Sequence, residues 1–359
     1  MPNRLQEFDL IRVLAAFSVI AIHVTAGYIQ LLSFANYCNH LVRYAVPLFI
    51  ILSGFMLCYG ESLKPPLATL DFYRKRGNRI LWPFILWTLL YSTLNQLYGP
   101  IPNLYQYAMT LGHDLLWGSG YYHLYFLSIM IQLYILYPLL KRWLNKNASG
   151  LLVSSLILTL VVQIVLYLAL FGKITLPARY SLIYVRAFPV WIFYFVLGMC
   201  IAIKRDYWQN HLPGHELSLG LAWLFSLVII ILDSKFTANG GSIVRPSIML
   251  YTVVTFFFFY CLALKVKYIG KSWLTWLSEQ SFLIYLMHPL MLTIMIYTAQ
   301  KLGHPGLWDG ILGMISLYFA VAAATVFFTC LVSFCPLASL LGGAQRKKSQ
   351  RSSSISPSM

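Results

Sequence analysis

Long apolar runs alternate along the chain with short polar or basic breaks, at 10–32, 42–60, 80–98, 123–140, 150–171, 186–203, 218–232, 246–264, 280–299 and 309–336. Most approach the ~20 residues that a helix needs to cross ~30 Å of hydrocarbon. They do not alternate in the manner of barrel strands, and lipid leaves helices as the only other way to satisfy the backbone. The seventh run is short, and Trp273–Leu277 reads as an interfacial lead-in to the ninth. The pattern predicts an all-α integral membrane protein with about ten transmembrane helices. One polytopic domain is expected over residues 1–340, followed by a disordered, basic, Ser-rich cytoplasmic tail over 341–359.

Composition narrows the class. Of 359 residues, 59% are hydrophobic and only 10% charged, against about 25% charged in a soluble domain, which excludes a soluble globular protein. The net charge of +16 would suggest nucleic acid in a soluble chain, but here its distribution gives another reading. Eighteen of the 26 Lys and Arg fall on one side of the spans, chiefly in 64–79, 141–146, 204–205, 265–271 and the tail. Six fall on the other side, and Arg12 and Arg43 lie within or at the edge of spans. With an even number of spans, this asymmetry puts both termini in the cytoplasm, and no nucleic-acid partner is expected. The first run follows Arg4 as a signal peptide might. It contains Arg12 and His23 and leads into further spans, so it is read as a retained first helix. The six cysteines show neither CxxC pairs nor zinc-like spacing, so neither a disulfide framework nor a metal site is expected. The longest outer loop, 99–122, carries no Lys or Arg and is rich in Tyr and Trp. Its aromatics serve either as interfacial anchors or as a surface on which carbohydrate stacks.

Polar groups inside spans are costly and mark function by default. Arg12 and His23 are eleven residues apart on the first helix. That spacing returns them to within ~20° of one face, with ~16.5 Å between them along the axis, roughly the reach of a pantetheine arm. Asp9, three residues before Arg12, can pair with its guanidinium or orient it. The plain alternative is an Arg12 that snorkels and a His23 that bonds a neighbouring helix. Arg43 opens the second span ahead of Val46-Pro47-Leu48-Phe49 and Ser53-Gly54, and His123 opens the fourth in His123-Leu124-Tyr125-Phe126-Leu127. Glu279 and His288, nine residues apart on the ninth segment, are read as returning near one face. His288 could also satisfy carbonyls freed by Pro289. The basic stretch Tyr73–Arg79 follows from topology alone. Arg76 and Arg79 would nevertheless share a face of a helix, and guanidinium forks suit phosphate.

Taken in order, these segments resemble acyltransferase family 3, the polytopic bacterial acyltransferases of surface carbohydrates, from about Leu5 to Cys335. The resemblance rests on Phe8-Asp9-Leu10-Ile11-Arg12 through His23, on Val46-Pro47-Leu48-Phe49 with Ser53-Gly54, and on Arg76, Arg79 and Pro83. It continues through His123–Leu127 and Ser281 to His288-Pro289. The pattern is similar to two branches, the O-acetyltransferase of enterobacterial common antigen and the O-succinyltransferase of poly-N-acetylglucosamine, without choosing between them. The resemblance implies a cytoplasmic acyl-CoA donor (acetyl-CoA or succinyl-CoA), no permanently bound cofactor, and an acceptor hydroxyl at the outer side. It also implies a catalytic His23 and important Arg12, Arg76 and Arg79. The chain departs from many members in lacking a glycine after Arg12 and in carrying Tyr125 in place of Trp. No SGNH-type domain follows the last span, so transfer is expected to finish within the spans or with a partner.

The reading is therefore an acyl-CoA-dependent O-acyltransferase of the bacterial inner membrane. It acts on an extracytoplasmic polysaccharide or its lipid-linked precursor, with other glycan-biosynthesis proteins as partners. His23 is the expected general base, assisted by Arg12 and Asp9, and Arg76, Arg79 and Arg12 hold the CoA phosphates. His123, Arg43 and Tyr125 serve the acceptor on the outer side, with Glu279 and His288 as further candidates. The competing class is a transporter, either a polysaccharide exporter or flippase or a proton-coupled carrier using His23, His123 and His288 as a relay.

Overall fold

The computed structural model describes residues 5–63, 68–96, 103–177, 181–237, 243–266 and 271–345. The tail from Arg346 onward lies outside the described residues. The helices are α1 (Gln6–Ala26), α2 (Ser33–Val42), α3 (Ala45–Ser62), α4 (Thr69–Gln96), α5 (Leu104–Trp117), α6 (Tyr125–Lys146) and α7 (Ala148–Leu170). They continue with α8 (Ser181–Arg186), α9 (Ile192–Ile203), α10 (Arg205–His211), α11 (Glu216–Thr237), α12 (Pro246–Val266), α13 (Lys271–Lys301) and α14 (Gly310–Ser333). A helix stands at each of the ten predicted runs, and there are no strands among the described residues. The protein is an all-α integral membrane protein. Among the described residues, seven spans are long and apolar enough to cross a bilayer: α1, the α2–α3 unit, α7, α11, α12, α13 and α14. The other three depart for local reasons. The first turns of α4 are charged, α6 carries tyrosines and Gln132, and α9 is only 12 residues long.

The short α9 belongs to a broken span. Pro189 interrupts the chain between α8 and α9, and polar side chains from neighbouring helices take up the freed backbone groups. Gln132 donates to Arg186 O (2.9 Å) and accepts from Phe188 N (3.0 Å). The Thr159 hydroxyl donates to Pro189 O (2.8 Å), and the Gln163 amide to Val190 O (3.3 Å). This is how a membrane bundle tolerates irregular backbone at depth.

Four helices were not predicted: α2, α5 and the short α8 and α10. Of these, α5 forms within the expected outer loop, where Asn103 and Gln106 make a capping box and Gly118 ends the helix in the left-handed region at φ 61°.

Three packing features position the site. First, α3 and α9 meet backbone to backbone: a Cβ on Gly54 would lie 2.1 Å from Phe195 O, and one on Gly198 would lie 2.0 Å from Ile51 O. Second, α1 and α13 run side by side in the same direction, touching at Arg12–Ser278 and again at His23–His288. Third, the chain beyond α14 folds back between α4 and α13. There the Trp87 indole donates to Leu341 O (3.0 Å), and the Gln280 amide group exchanges bonds with Ala344 O (2.6 Å) and Ala344 N (3.0 Å).

Candidate active site

Three histidines from three helical regions converge. His23 lies on α1, His123 in the turn before α6, and His288 on α13, one residue before Pro289. The His23 ring stacks on His288 at 5.2 Å between centroids, and His123 meets His288 edge-on at 5.6 Å. Aromatic rings close the space around them. Tyr122 lies 4.5 Å from His23, Tyr285 5.4 Å and Tyr91 5.2 Å from His123, and Tyr121 stacks on Tyr91 at 4.5 Å. His123 and His288 are fully buried, whereas His23 remains half-exposed. Tyr125 is half-buried, within electrostatic range of Tyr285 and of Arg186.

Pro289 sets the chemistry of His288. A proline has no N–H, so the carbonyl of Tyr285, four residues earlier, has no helical donor. His288 Nδ1 lies 2.7 Å from that carbonyl. Because a carbonyl only accepts, Nδ1 carries the proton and Nε2 presents a lone pair. Nε2 is buried without a well-formed hydrogen bond among the described residues, and so are both ring nitrogens of His123, which has the Leu286 backbone nearby. Buried polar atoms are rarely left unpaired, so these nitrogens have capacity to accept or donate a further hydrogen bond. Tyr91 braces the next turn of α13, its hydroxyl donating to Leu286 O (2.8 Å) and accepting from Leu290 N (3.1 Å). The Tyr285 hydroxyl donates to His123 O and so fixes the turn that carries His123.

Toward the end of the bundle that carries the basic clusters, Asp9 is buried and accepts from the Ser278 hydroxyl at 2.7 Å. The same hydroxyl accepts from Arg12 Nη1 at 3.3 Å, so Ser278 ties the predicted Asp9–Arg12 pair to α13. Arg76 and Arg79 fall on one helix, α4, as expected for a shared face; Arg76 is half-buried and Arg79 exposed. Arg76 lies within electrostatic range of Tyr137, whose hydroxyl donates to Glu61 at 2.6 Å. A cavity of about 770 Å³ opens at this end, lined by Tyr59, Lys204, Arg205 and Tyr207 among others. The Arg205 guanidinium lies over the Tyr59 ring at 5.3 Å.

One expected placement is corrected, and Arg43 shows a structural role of its own. Glu279 is exposed while His288 is buried. Nine steps of 100° amount to half a turn, so the two residues point to opposite faces of α13. Arg43 is buried and its guanidinium is engaged with α2. Its Nε and Nη2 both donate to Asn39 Oδ1 (3.1 and 2.8 Å), and Asn39 donates to Ile22 O and to the Thr25 hydroxyl on either side of His23. Arg43 is thus a positioning residue for the end of α1. Arg43→Ala, which leaves the buried Asn39 oxygen short of donors, is expected to cost roughly 2 kcal/mol of stability. Thermal unfolding in detergent checks this, and an unchanged midpoint would contradict it.

Sequence reasoning missed Tyr91, Tyr121, Tyr122, Tyr285 and Ser278. The adjacency of Tyr121-Tyr122-His123, and of Ser278 to Glu279, was the available signal for Tyr121, Tyr122 and Ser278. Among the described residues, no group of three His, Cys, Asp or Glu side chains is placed to hold a metal ion.

With this geometry in place, comparison with known proteins defines the class. The chain belongs to acyltransferase family 3, whose acyltransferase domain matches residues 5–334, so it is a membrane acyltransferase. It is similar to a Staphylococcus aureus (strain Mu50 / ATCC 700699) protein named "Probable poly-beta-1,6-N-acetyl-D-glucosamine export protein". The two are 25% identical over 274 residues, covering 73% of this chain and 73% of the relative. No solved structure matches the chain.

Proposed function

We propose that the protein transfers an acyl group from cytoplasmic acyl-CoA to a hydroxyl of an extracytoplasmic polysaccharide or of its lipid-linked precursor. The observation that carries this reading is the register of α1 on α13, with a cation at one contact and an imidazole cluster at the other. Arg12 and His23 are separated by about 16.5 Å along α1, which suits a donor anchored at its phosphates and presenting its thioester at the rings. Arg76, Arg79 and Arg12 hold the CoA phosphates by charge-assisted forks, and Lys204 and Arg205 supply further cations at the same end. Both termini lie in the cytoplasm by the charge asymmetry. The relative's name, which concerns a β-1,6-N-acetylglucosamine polymer, supports a glycan acceptor entering from the opposite face.

In the chemical step the acceptor oxygen attacks the thioester carbonyl carbon while its proton passes to the His23 ring. The tetrahedral intermediate collapses with cleavage of the C–S bond. CoA then leaves as the thiol, taking the proton back from His23. His123 and the Nε2 of His288 hydrogen-bond the acceptor and keep it aligned.

Arg79→Ala, alone and combined with Arg76→Ala, tests the donor end. Loss of one charge-assisted contact is expected to weaken CoA binding about tenfold, with a larger loss in the double variant. Calorimetry on purified protein reads this directly, and an unchanged dissociation constant in both variants would return the basic stretch to topology alone. The second reading, an exporter, is favoured by the name of the staphylococcal relative. It predicts glycan movement across a membrane without release of CoA.

A further inference from the structure

The motif Val46-Pro47-Leu48-Phe49 with Ser53-Gly54 has no part in the transfer chemistry, and the burial pattern of α3 gives it one. From Ala45 to Cys58 every residue of α3 is buried except Phe49, Ser53 and Met56. These recur at intervals of four and three, and Gly60, also half-exposed, continues the series after four more. At 100° per residue the four fall within about 60° of one face and extend over about 16.5 Å. That is the rise from Arg12 to His23 on α1.

This strip lies on the side of α3 opposite the α9 seam. The opposite side of α3 is sealed against α9 at Gly54 and Ile51, and Phe55 stacks on Phe8 of α1. At the upper end the Phe49 ring meets Phe126 and Tyr285, each at 6.3 Å, and Tyr285 borders His123. At the lower end the strip finishes beside Glu61, which is tied to Tyr137 and so to the surroundings of Arg76. A half-exposed strip on a helix otherwise sealed from Ala45 to Cys58, leading from the basic end toward the histidines, has the form that one wall of a narrow passage would take.

We propose that the Phe49–Ser53–Met56–Gly60 face of α3 is the surface along which the acyl-pantetheine arm of the donor lies. This rests on the acyl-CoA reading above. Gly60 leaves room at the entrance, the flexible Met56 thioether adapts to a narrow chain, and the Ser53 hydroxyl meets its amides. Phe49 then bounds the space in which the acyl group reaches His23. Gly54 serves the same wall from behind, because its missing side chain lets α9 hold α3 in place.

The test places single cysteines at Ser53 and Met56 and, as controls, at the buried neighbours Leu52 and Leu57. Full-length protein in vesicles is treated with a small methanethiosulfonate, with and without CoA. Labelling is read by mass spectrometry on the peptide carrying each position, so native cysteines do not interfere. Labelling is expected at 53 and 56 and not at 52 and 57, with CoA reducing it about fivefold or more. In addition, Met56→Trp is expected to slow acyl-CoA turnover about tenfold or more at unchanged abundance. Equal labelling at all four positions, or absence of CoA protection in protein that turns acyl-CoA over, overturns the proposal and leaves the enzyme reading intact. Absence of both CoA binding and acyl-CoA turnover in wild-type protein overturns that reading itself, and with it the proposed occupant.

Discussion

Replacement of His23 by alanine is expected to lower acyl transfer by about 10²- to 10⁴-fold, the contribution of a positioned general base, while abundance and membrane insertion remain at wild-type level. The ring is half-exposed, and the ring contacts it makes are those with Tyr122 and His288, so its removal takes little from the packing of α1. His288 differs in this respect. Its Nδ1–H satisfies the Tyr285 carbonyl beside Pro289, so His288→Ala is expected to lose stability as well as activity. The pair of variants therefore separates a residue that acts on substrate from one that also supports its helix. Quantified glycan acylation in membranes of matched protein content is the measurement. Wild-type acylation by His23→Ala at equal abundance would remove His23 from the mechanism.

The largest effect on folding is expected from Gly198→Ala. The new methyl carbon would sit 2.0 Å from the Ile51 carbonyl oxygen and 2.8 Å from Phe55 N. Both are backbone atoms of a helix that cannot turn aside as a side chain does. The two helices would have to separate, losing contacts along a seam where Ile50, Ile51, Phe55, Phe195 and Met199 are completely buried. Overpacking typically costs 1–3 kcal/mol, and a clash with backbone on both partners places this substitution at about 3 kcal/mol or more. Gly54→Ala meets Phe195 O at 2.1 Å and is expected to behave alike. Gly60→Ala on the same helix has nothing within 4 Å of its added carbon and serves as the control for stability. Denaturation in mixed micelles, monitored by tryptophan fluorescence, reads all three. A Gly198→Ala midpoint equal to wild type would contradict the close approach of α3 and α9.

The helices and the Arg12–His23 face were legible because both follow from local periodicity: apolar runs of spanning length, and eleven residues returning to one side of a helix. The α5 helix was legible in principle, since Asn103, Gln106 and Gly118 are start and stop signals, but the polar, aromatic composition of the loop outweighed them. The Glu279–His288 expectation failed on helical arithmetic alone. What periodicity could not supply is which of ten helices meet. The α3–α9 seam rests on single glycines 144 residues apart, and a lone Gly198-xxx-Ala202 spacing on α9 does not say which helix it meets. The aromatic wall draws Tyr91, Tyr121, Tyr122 and Tyr285 from separate regions, and each reads alone as an ordinary interfacial or core tyrosine. Arg43 is assigned to the acceptor from its place at the outer edge of a span. Only its partner Asn39, whose amide reaches α1, reveals the bracing role.

The central claim is that acyl-CoA is the donor, and reconstitution tests it most directly. Purified protein in lipid vesicles is given radiolabelled acetyl-CoA or succinyl-CoA together with surface-glycan extract, and free CoA and labelled glycan are followed for wild type and His23→Ala. The account predicts release of CoA and labelling of glycan from one of the two donors by wild type, and neither by the variant. Transfer of pre-labelled glycan across the vesicle membrane, with no CoA released from either donor, would contradict it and identify an exporter.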